Sequence, residues 1–353
     1  MSCYRPLHGF DIGECTPSGK VKYLIADYNT DRVIKRSNHW SQIHYGEPIG
    51  VGDYDQIVSD YVRIPCGKCV GCRLDYAKTW AERILAEKMY STSCFFLTLT
   101  YNDDEIPRIV QNKDSVLVDS GYTLLKSDTQ NFFKRVRKWL SDHGYDVKCR
   151  YFLAGEYGDR YKRPHYHAIV FNLPEEVLGL KYYKTVNGYH YFTSEWLNDR
   201  WKHGYVVVGE CTVKSASYVA RYCLKKMNQM IDWSSLYVDT GFTPEFVTMS
   251  RNPGIGLRWI ESNYEKVLKN GYVPVSSSDG EITKICMNRY FKNKIEGYVD
   301  PSLFADWQEL RKQIAIQSIQ NELFDTDLDE VSYMLMKENQ HKNKIKSLKR
   351  EVF

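Results

Sequence analysis

The spacing of apolar residues along the middle of the chain predicts strands that alternate with amphipathic helices. The strand-length apolar runs end in turn residues, and the helical segments repeat their apolar positions every three or four residues. The predicted strands are 94–101, 150–155, 163–171 and 204–209. The predicted helices are 74–90, a helix that begins at Ser127, 194–203, and a helix from Ser215 to Met227. This order predicts an α+β fold in which helices pack on a central, mainly antiparallel sheet.

Two of these helices carry further signals. The helix 74–90 gathers its apolar residues on one face, and its opposite face carries Glu82, Arg83, Glu87 and Lys88. Ser127 and Gln130 have the spacing of a capping box, so the next helix is expected to begin at Ser127. That helix also carries four cations, which form either an ordinary solvated face or a patch that faces phosphates. These cations are Lys134, Arg135, Arg137 and Lys138.

The regions on either side of this core are less regular. Residues 1–62 are polar and weakly periodic, whereas 304–336 predicts one or two helices broken by 325–330. The tail from Lys337 to Arg350 is rich in basic residues and is expected to be a frayed helix or disordered. We therefore predict an N-terminal extension over 1–74, a core domain over 75–230 and a C-terminal region over 231–353.

Composition sets limits without indicating a function. Of the 353 residues, 43% are hydrophobic and 26% are charged, which is typical of globular proteins. The net charge of +4 does not by itself indicate a nucleic-acid-binding protein, although 28 tyrosines supply many rings that can stack on bases. The sequence shows neither a secretory leader nor an apolar run of membrane-spanning length, so we expect a soluble intracellular protein with no membrane partner.

Three of the ten cysteines, Cys66, Cys69 and Cys72, follow one another at two-residue intervals. Without a secretory leader, such thiols are expected to be reduced or to bind metal. An iron–sulfur cluster is disfavoured, because the ferredoxin pattern needs a further Cys followed by Pro just downstream, and neither is present. The block predicts either a structural Zn²⁺ site or free thiols in a tight loop. The candidates for the fourth zinc ligand are Cys3, Cys15 and a histidine.

Two histidines lie at the start of the strand 163–171. Side chains alternate between the faces of a strand, so His165 and His167 share one face while Tyr166 lies on the other. The strand 150–155 is expected to pair with this strand as an antiparallel hairpin, which would bring Glu156 beside the histidines. The strand 94–101 is expected to be the other neighbour. Two imidazoles and a carboxylate suit Mn²⁺, tolerate Mg²⁺ and accept Zn²⁺. The alternative is one histidine that caps a loop and one that is buried and neutral.

A second group of reactive side chains lies on the helix that begins at Ser215. Tyr218 and Tyr222 are four residues apart and share one helical face, which also carries Lys225. Arg221 and Lys226 lie near that face. A buried stripe is the alternative, but phenols flanked by cations are more typical of phosphate chemistry. The ordinary pKa of tyrosine is about 10, so a nucleophilic tyrosine needs a polarising metal or a nearby ammonium.

These segments resemble, in their order, the three motifs of HUH endonucleases. The three segments are Phe96-Leu-Thr-Leu-Thr-Tyr101, Arg163-Pro-His-Tyr-His167 and Tyr218-x-x-x-Tyr222-x-x-Lys225. More narrowly, the chain resembles the replication initiation proteins of microviruses, on the gokushovirus branch, over about residues 63–256. The cysteine block and the segment Met249-Ser-Arg-Asn-Pro-Gly-Ile-Gly256 are also similar to that branch.

The resemblance implies an HUH core at 75–230 that nicks the single-stranded origin of a circular phage genome in the cytoplasm of a bacterial host. Tyr222 would attack, leaving a 5′-phosphotyrosine link and a free 3′-hydroxyl, and Tyr218 would cut the regenerated origin before strand joining. Lys225 would lie against the phenolate or the scissile phosphate. The implied ligands of Mn²⁺ or Mg²⁺ are His165, His167 and Glu156, and the implied DNA contacts are Arg163, Arg221 and Lys226. No P-loop occurs in the sequence, so a host helicase would unwind the duplex.

Three other functions use the same residues. A zinc metallohydrolase would activate water with the His165, His167 and Glu156 set and would not need a tyrosine. A non-catalytic DNA-binding protein would keep the cysteine block and the basic faces. A plasmid relaxase would share the nicking chemistry, but relaxases more often carry a third histidine beside the pair, and Ala168 and Ile169 follow His167 here.

Overall fold

The fold is built around a seven-stranded antiparallel sheet in the middle of the chain. The computed structural model describes residues 3–17, 19–113, 116–158, 160–227, 242–276, 280 and 282–347. The side chains of 110–120, 222–227 and 344–347 lie outside that description. Among the described residues, no helix combines the length and the apolar character that crossing a membrane requires.

The described residues form short strands and mostly longer helices. The strands are β1 (Leu7–Cys15), β2 (Val21–Ala26), β3 (Thr30–Arg36), β4 (His39–His44), β5 (Gln56–Val58), β6 (Tyr61–Ile64), β7 (Cys94–Tyr101), β8 (Arg108–Lys113), β9 (Val116–Tyr122), β10 (Arg150–Tyr157), β11 (Pro164–Phe171), β12 (Lys181–Val186), β13 (Tyr189–Thr193), β14 (Gly204–Glu210), β15 (Phe246–Met249), β16 (Tyr272–Ser276) and β17 (Ile282–Cys286). The helices are α1 (Val70–Lys88), α2 (Lys126–Asp142), α3 (Glu195–Trp201), α4 (Val213–Met227), α5 (Leu257–Asn270), α6 (Arg289–Ile295), α7 (Pro301–Phe324) and α8 (Glu330–Ser347), with a 3₁₀ turn at Glu175–Val177.

The large sheet has the strand order β12-β13-β14-β7-β11-β10-β15, and all of its neighbouring strands are antiparallel. The predicted hairpin of β10 with β11 is confirmed, as is the predicted pairing of β11 with β7. The α+β prediction with a mainly antiparallel central sheet is therefore confirmed. The edge hairpin of β12 with β13 was not predicted, because its tyrosine-rich and lysine-rich strands lack an apolar face.

Each face of the large sheet packs against its own set of helices. Ile169 and Phe171 of β11 belong to a buried cluster that also holds residues of α1, α4 and α5. Tyr166, Ala168 and Val170 point to the other face, where the buried cluster includes residues of α2 and α3. Because side chains alternate along a strand, the odd-numbered residues of β11 face the side that α4 covers. The histidines at 165 and 167 therefore belong to the α4 side.

Helix α2 begins one residue earlier than its sequence predicts and lacks the capping box at Ser127. Its N-cap is Leu125, which has no polar side chain to cap the helix. The fully buried Tyr166 replaces that cap, because its hydroxyl accepts from the Leu125 N–H at 2.9 Å and donates to the Leu125 carbonyl at 3.0 Å. A hydrogen bond from a distant strand has thus taken the place of a local one.

Helix α4 also begins earlier than predicted, at Val213 rather than Ser215. Thr212 and Ser215 cap it reciprocally: the Thr212 N–H donates to Ser215 Oγ at 2.8 Å, and the Ser215 N–H donates to Thr212 Oγ1 at 3.2 Å. The arrangement is that of a capping box with serine in the place usually held by glutamate. It fixes the start of the helix that carries Tyr218.

The face of α1 opposite to its apolar stripe is buried as well, which its sequence does not predict. Glu87 is buried and forms an ion pair with the equally buried Arg150 of β10. The Gly256 N–H donates to Glu87 Oε2 at 2.7 Å, and Arg150 donates to the Pro253 carbonyl at 2.8 Å. The segment at 249–256 therefore completes the burial of this face, since its backbone satisfies the two charges.

The cations of α2 serve mainly the fold, on the face of the sheet opposite to the histidines. Arg135 donates to the carbonyls of Arg200 and Trp201 at 2.6 and 3.0 Å, and Arg137 donates to the Cys149 carbonyl at 3.0 Å. Lys138 pairs with Asp142 one turn later. The interpretation of these residues as a phosphate-facing patch is wrong for the site on the α4 side.

Two compact units can be distinguished among the described residues. Those of Met1–Asp75 and Gln308–Glu351 form the first unit, and those of Tyr76–Trp307 form the second, which holds the large sheet. The first unit contains two three-stranded sheets, β2-β1-β6 and β4-β3-β5, around a small cluster with Phe10 and Val33. The division predicted at 74 and 230 stays a prediction.

The C-terminal part of the first unit is more ordered than its composition suggests. The predicted break between the two helices is confirmed, since α7 ends at Phe324 and α8 begins at Glu330. Helix α8 continues to Ser347, so the described part of the basic tail is helical rather than disordered. Lys337 and Lys342 in this helix form ion pairs with Glu322 and Glu338.

Candidate active site

The pairing register of three strands assembles the predicted metal ligands. Glu156 of β10 lies directly opposite His165 of β11, and His165 in turn lies opposite Thr100 of β7. Two residues further along, His167 lies opposite Thr98. Residues that pair across neighbouring strands share a face, so these side chains all lie on the α4 side of the sheet.

The two histidines converge on one carboxylate oxygen. His165 Nε2 lies 2.7 Å from Glu156 Oε1, and His167 Nε2 lies 3.1 Å from the same oxygen. The ligand atoms of the three residues lie within 4.8 Å of one another. Glu156 and His167 are buried, and His165 is half-buried. The group is therefore closed on the protein side and accessible from the side of His165.

The second ring nitrogen of each histidine is held by an oxygen. His165 Nδ1 lies 3.2 Å from the Arg163 carbonyl, which can only accept, so this nitrogen donates. His167 Nδ1 hydrogen-bonds to the hydroxyl of Thr98 at 3.1 Å. Phe96 stacks on the His167 ring, with centroids 5.5 Å apart. Outer partners of this kind orient metal-binding imidazoles and leave Nε2 free to bind a metal.

Electrostatics around Glu156 favour a cation. Burial raises the pKa of this carboxyl, but the hydrogen bonds with His165 and His167 outweigh burial and hold the pKa well below its usual range. A neutral His165 with its proton on Nδ1 presents a lone pair to the carboxylate, and two acceptors at this distance repel each other. A shared proton or a metal ion removes this repulsion.

The three donors fit a divalent metal. Adjacent ligands of an octahedral ion with bonds of about 2.1 Å lie about 3.0 Å apart, which is close to the separations of Glu156 Oε1 from the two imidazoles. Two nitrogens and one carboxylate suit Mn²⁺, tolerate Mg²⁺ and accept Zn²⁺. The fit rests on side chains that the fold already holds in position.

Helix α4 brings Tyr218 to this group. The helix packs on β10, β11 and β15 through buried small residues that include Ala216 and Ala220. The Tyr218 hydroxyl lies 3.5 Å from His167 Nε2, and the two rings meet edge to face with centroids 5.2 Å apart. Tyr222 follows one helical turn later in the α4 backbone. The side chains of Tyr222, Lys225 and Lys226 lie outside the described residues.

The two remaining predicted DNA contacts differ in their surroundings. Arg221 is exposed on α4. Arg163 donates to Asp103 at 2.6 Å and to the Tyr101 carbonyl at 3.1 Å, so it ties the β10–β11 loop to the end of β7. A phosphate would have to compete with Asp103 for this guanidinium.

Two residues of this face were not predicted from the sequence. Thr98 holds His167, and the only sequence signal for it is the alternation of threonines at 98 and 100 in an otherwise apolar strand. Tyr205 of β14 pairs with Thr100, which places it in the same cross-strand row as His165 and Glu156. Its side chain is 65% exposed.

The cysteine block lies in the first unit, and there the structure adds a partner. Cys66, Cys69 and Cys72 meet Cys3, one of the three predicted sources of a fourth ligand. All four Sγ atoms lie within 4.8 Å of one another. Cys15, another of these sources, is exposed and does not belong to the group.

Comparison with known protein families gives a match in the second unit. The family model of the replication-associated proteins of the ORF2 type matches residues 94–227. This range runs from β7 to the end of α4 and includes Glu156, both histidines and both tyrosines. It does not include the cysteine block.

Three phage proteins are similar to the chain over longer ranges. Replication-associated protein ORF2 of Spiroplasma virus 4 is 31% identical over 327 residues, which cover 90% of this chain and 88% of that protein. Replication-associated protein VP4 of Bdellovibrio phage phiMH2K is 35% identical over 67% of this chain and 70% of its own length. Replication-associated protein ORF4 of Chlamydia phage 1 is 30% identical over 56% of this chain and 47% of its own length. No solved structure matches the chain. The chain belongs to the replication-associated proteins of microviruses, a family of phage replication initiators.

Proposed function

We propose that this initiator is an HUH nickase that cuts single-stranded DNA at a phage origin by tyrosine attack. The observation that carries the proposal is the convergence of Glu156, His165 and His167 on one point, with the Tyr218 hydroxyl 3.5 Å from His167 Nε2. A metal site beside a tyrosine has a direct use in phosphoryl transfer, because the phenol needs an activated phosphate to attack.

Glu156 and the two histidines would hold Mn²⁺ or Mg²⁺. The bound ion would polarise the scissile phosphate and neutralise charge that develops on it. Thr98 and the Arg163 carbonyl keep both Nε2 atoms directed at the site, so the ligands need little rearrangement. The remaining coordination positions would be left to water and substrate.

The chemical step would be a transesterification. The phenol oxygen of Tyr222 forms a bond to phosphorus while the bond from phosphorus to the 3′-oxygen breaks. The phenol loses its proton, and the departing 3′-oxygen gains one. The products are a 5′-phosphotyrosine link and a free 3′-hydroxyl that can prime synthesis. Tyr218 would repeat the reaction on the regenerated origin, and strand joining would reverse the first link. Lys225 would stabilise the phenolate or the scissile phosphate.

The DNA strand would run along the exposed end of this face. Arg221 lies on α4 and is free of any ion pair within the described residues. Lys226 follows it in the same helix, and Arg163 borders the His165 side of the site. A host helicase would open the duplex ahead of the nick, because the chain has no P-loop sequence of its own.

Adduct formation tests this proposal directly. The full-length protein is incubated with single-stranded fragments of its phage genome and Mn²⁺ or Mg²⁺, and covalent protein–DNA species are separated under denaturing conditions. We expect an adduct that requires the metal and a shortened strand that carries a 3′-hydroxyl. Tyr218→Phe together with Tyr222→Phe should abolish the adduct. The matched control is Tyr205→Phe, which keeps the ring and removes an exposed hydroxyl on the same face.

The competing functions give different results in this assay. A metallohydrolase would cut DNA or another substrate without an adduct, and its activity would survive loss of both tyrosines. A DNA-binding protein without catalysis would bind the fragments but leave them uncut. Either result with folded, metal-loaded protein would overturn the proposal. An adduct that persists in the double tyrosine variant would overturn the assigned nucleophiles.

A further inference from the structure

The four cysteines of the first unit have the geometry of a single tetrahedral metal site. Cys66 Sγ lies 4.0 Å from Cys72 Sγ, and Cys69 Sγ lies 3.9 Å from Cys3 Sγ. In a tetrahedral site with zinc–sulfur bonds of about 2.3 Å, neighbouring sulfurs lie about 3.8 Å apart. The observed separations are much longer than a disulfide bond of about 2.05 Å, so the four thiols are unbridged and already spaced for one ion.

Backbone N–H groups surround these sulfurs in the way that thiolates need. The Cys66 N–H donates to Cys3 Sγ at 3.3 Å, and the Tyr4 N–H donates to Cys69 Sγ at 3.4 Å. The N–H groups of Cys69 and Cys72 donate to the sulfurs three residues before them, at 3.3 and 3.5 Å. Hydrogen bonds to the charged form of a group stabilise that form.

The start of α1 adds a favourable field. Cys69 directly precedes α1, and Cys72 lies in its first turn. The N-terminus of a helix carries partial positive charge and stabilises thiolates placed there. The first turn of α1 contains no acidic residue that would oppose this effect.

We propose that Cys3, Cys66, Cys69 and Cys72 form a closed structural zinc site, with Cys3 as the fourth ligand. Four thiolates in tetrahedral arrangement are the donor set of structural Zn²⁺ and leave no position for a substrate. A cubane iron–sulfur cluster would hold its four thiolates further apart than a single ion does. The site is chemically distinct from the Glu156, His165 and His167 group, which has harder donors and an accessible side.

The ion would join two parts of the first unit that are far apart in sequence. Cys3 lies 63 residues before Cys66, and the metal would close this loop. The two residues after Cys3 contact α8, since Tyr4 hydrogen-bonds to His341 at 2.8 Å and Arg5 pairs with Glu338 at 2.8 Å. Zinc at Cys3 would thus hold this N-terminal arm, residues 3–5, in the position from which it reaches α8.

Metal analysis of the full-length protein tests the site independently of DNA cleavage. The protein is purified without chelator, its zinc content is measured, and a second sample is loaded with Co²⁺. We expect one tightly held zinc per chain and a cobalt spectrum with the thiolate charge-transfer and d–d bands of a tetrahedral tetrathiolate site. The double variant His165→Ala/His167→Ala should keep both properties, because its substitutions lie outside the cysteine group.

Cysteine variants then identify the fourth ligand. Cys3→Ser should raise the Kd for Zn²⁺ by more than about tenfold, since even loss of an outer partner of a metal ligand costs about 10–100-fold. Cys15→Ser removes an exposed thiol of the same unit and should leave the Kd unchanged. If Cys3→Ser fails to fold, thiol titration of wild-type protein replaces it, and blocking four thiols should release one zinc.

Three outcomes would overturn the proposal. The first is equal zinc affinity in Cys3→Ser and Cys15→Ser. The second is a cobalt spectrum of mixed nitrogen and sulfur ligation, which would assign a histidine as the fourth ligand. The third is iron with acid-labile sulfide in the purified protein, which would identify an iron–sulfur cluster. None of these outcomes bears on adduct formation, so the nickase proposal and the zinc proposal can fail separately.

Discussion

At the scale of single residues, the site depends on groups that do not themselves bind the ion. The hydroxyl of Thr98 holds His167 Nδ1 at 3.1 Å, and the Arg163 carbonyl holds His165 Nδ1 at 3.2 Å. Only the second of these partners is backbone and therefore independent of side-chain identity. His167 consequently owes its tautomer and ring orientation to one replaceable side chain.

Thr98→Val keeps the shape of the side chain and removes this hydrogen bond. We expect the Kd for Mn²⁺ to rise about 10–100-fold, because outer partners of metal-binding histidines have effects of this size. Thr100→Val is the matched control, since Thr100 lies on the same strand and face but donates to the Tyr205 carbonyl instead. Calorimetric titration with Mn²⁺ measures both. Equal losses in the two variants would contradict the role of Thr98.

Tyr205 offers an aromatic ring to DNA at the same face. It is 65% exposed and lies in the cross-strand row of Thr100, His165 and Glu156. Stacking of a base on an aromatic side chain is worth about 1–3 kcal/mol. Tyr205→Ala should therefore weaken single-stranded DNA binding by about that amount, and Tyr205→Phe should retain it, as measured by fluorescence anisotropy. Tyr298→Ala, at a tyrosine of similar exposure, should have no effect. A matching loss in that control would show a general effect of removing rings.

At the scale of elements, two helices depend on tertiary contacts that local sequence does not reveal. Helix α2 relies on the Tyr166 hydroxyl at Leu125, and the buried face of α1 relies on Arg150 and on the segment 249–256. Tyr166 lies between the two histidines in sequence but on the opposite face of the sheet. The same short segment thus supplies the candidate metal ligands on one face and the cap of α2 on the other.

Tyr166→Phe should destabilise the protein without altering the candidate metal ligands. The substitution leaves the Leu125 N–H and carbonyl without this buried partner, which costs about 1–3 kcal/mol in the free energy of unfolding. Denaturant unfolding measures the change. Tyr205→Phe removes an exposed hydroxyl and should stay within about 0.5 kcal/mol of wild type. A Tyr166→Phe variant as stable as this control would refute the capping role.

At the scale of the whole molecule, the two candidate metal groups differ in chemistry and in setting. The cysteine group is a closed set of four soft donors, whereas the Glu156 group has three donors and an accessible side. Exchange of a metal with solvent is faster where coordination positions are open. The protein should therefore hold one class of metal tightly and another loosely.

Brief treatment with EDTA should separate the two classes. We expect adduct formation with DNA to be lost and then restored by Mn²⁺, while the zinc content of the protein stays unchanged. Zinc analysis before and after treatment, together with the adduct assay, measures both responses. Simultaneous loss of zinc and activity that only Zn²⁺ restores would contradict the assignment of separate roles.

Much of the candidate site followed from local patterns. The alternation of residues in β11 placed His165 and His167 on one face, and the helical spacing in α4 placed Tyr218 and Tyr222 one turn apart in the sequence. These predictions succeed because the periods of strands and helices are set by backbone geometry alone. The hairpin of β10 with β11 was predictable for the same reason, since the two strands are neighbours in sequence and joined by a short loop.

Only the tertiary structure decided the contacts between residues far apart in the chain. Sequence spacing cannot say that Thr98 holds His167, that Tyr166 caps α2, or that Cys3 rather than Cys15 joins the cysteine block. Each of these contacts depends on the register and packing of elements separated by tens of residues. The sequence by itself determined the α+β class, the paired histidines and the reactive helix, because these are properties of local periodicity. Which side chains complete each site was decided by packing, because packing brings distant parts of the chain within bonding distance.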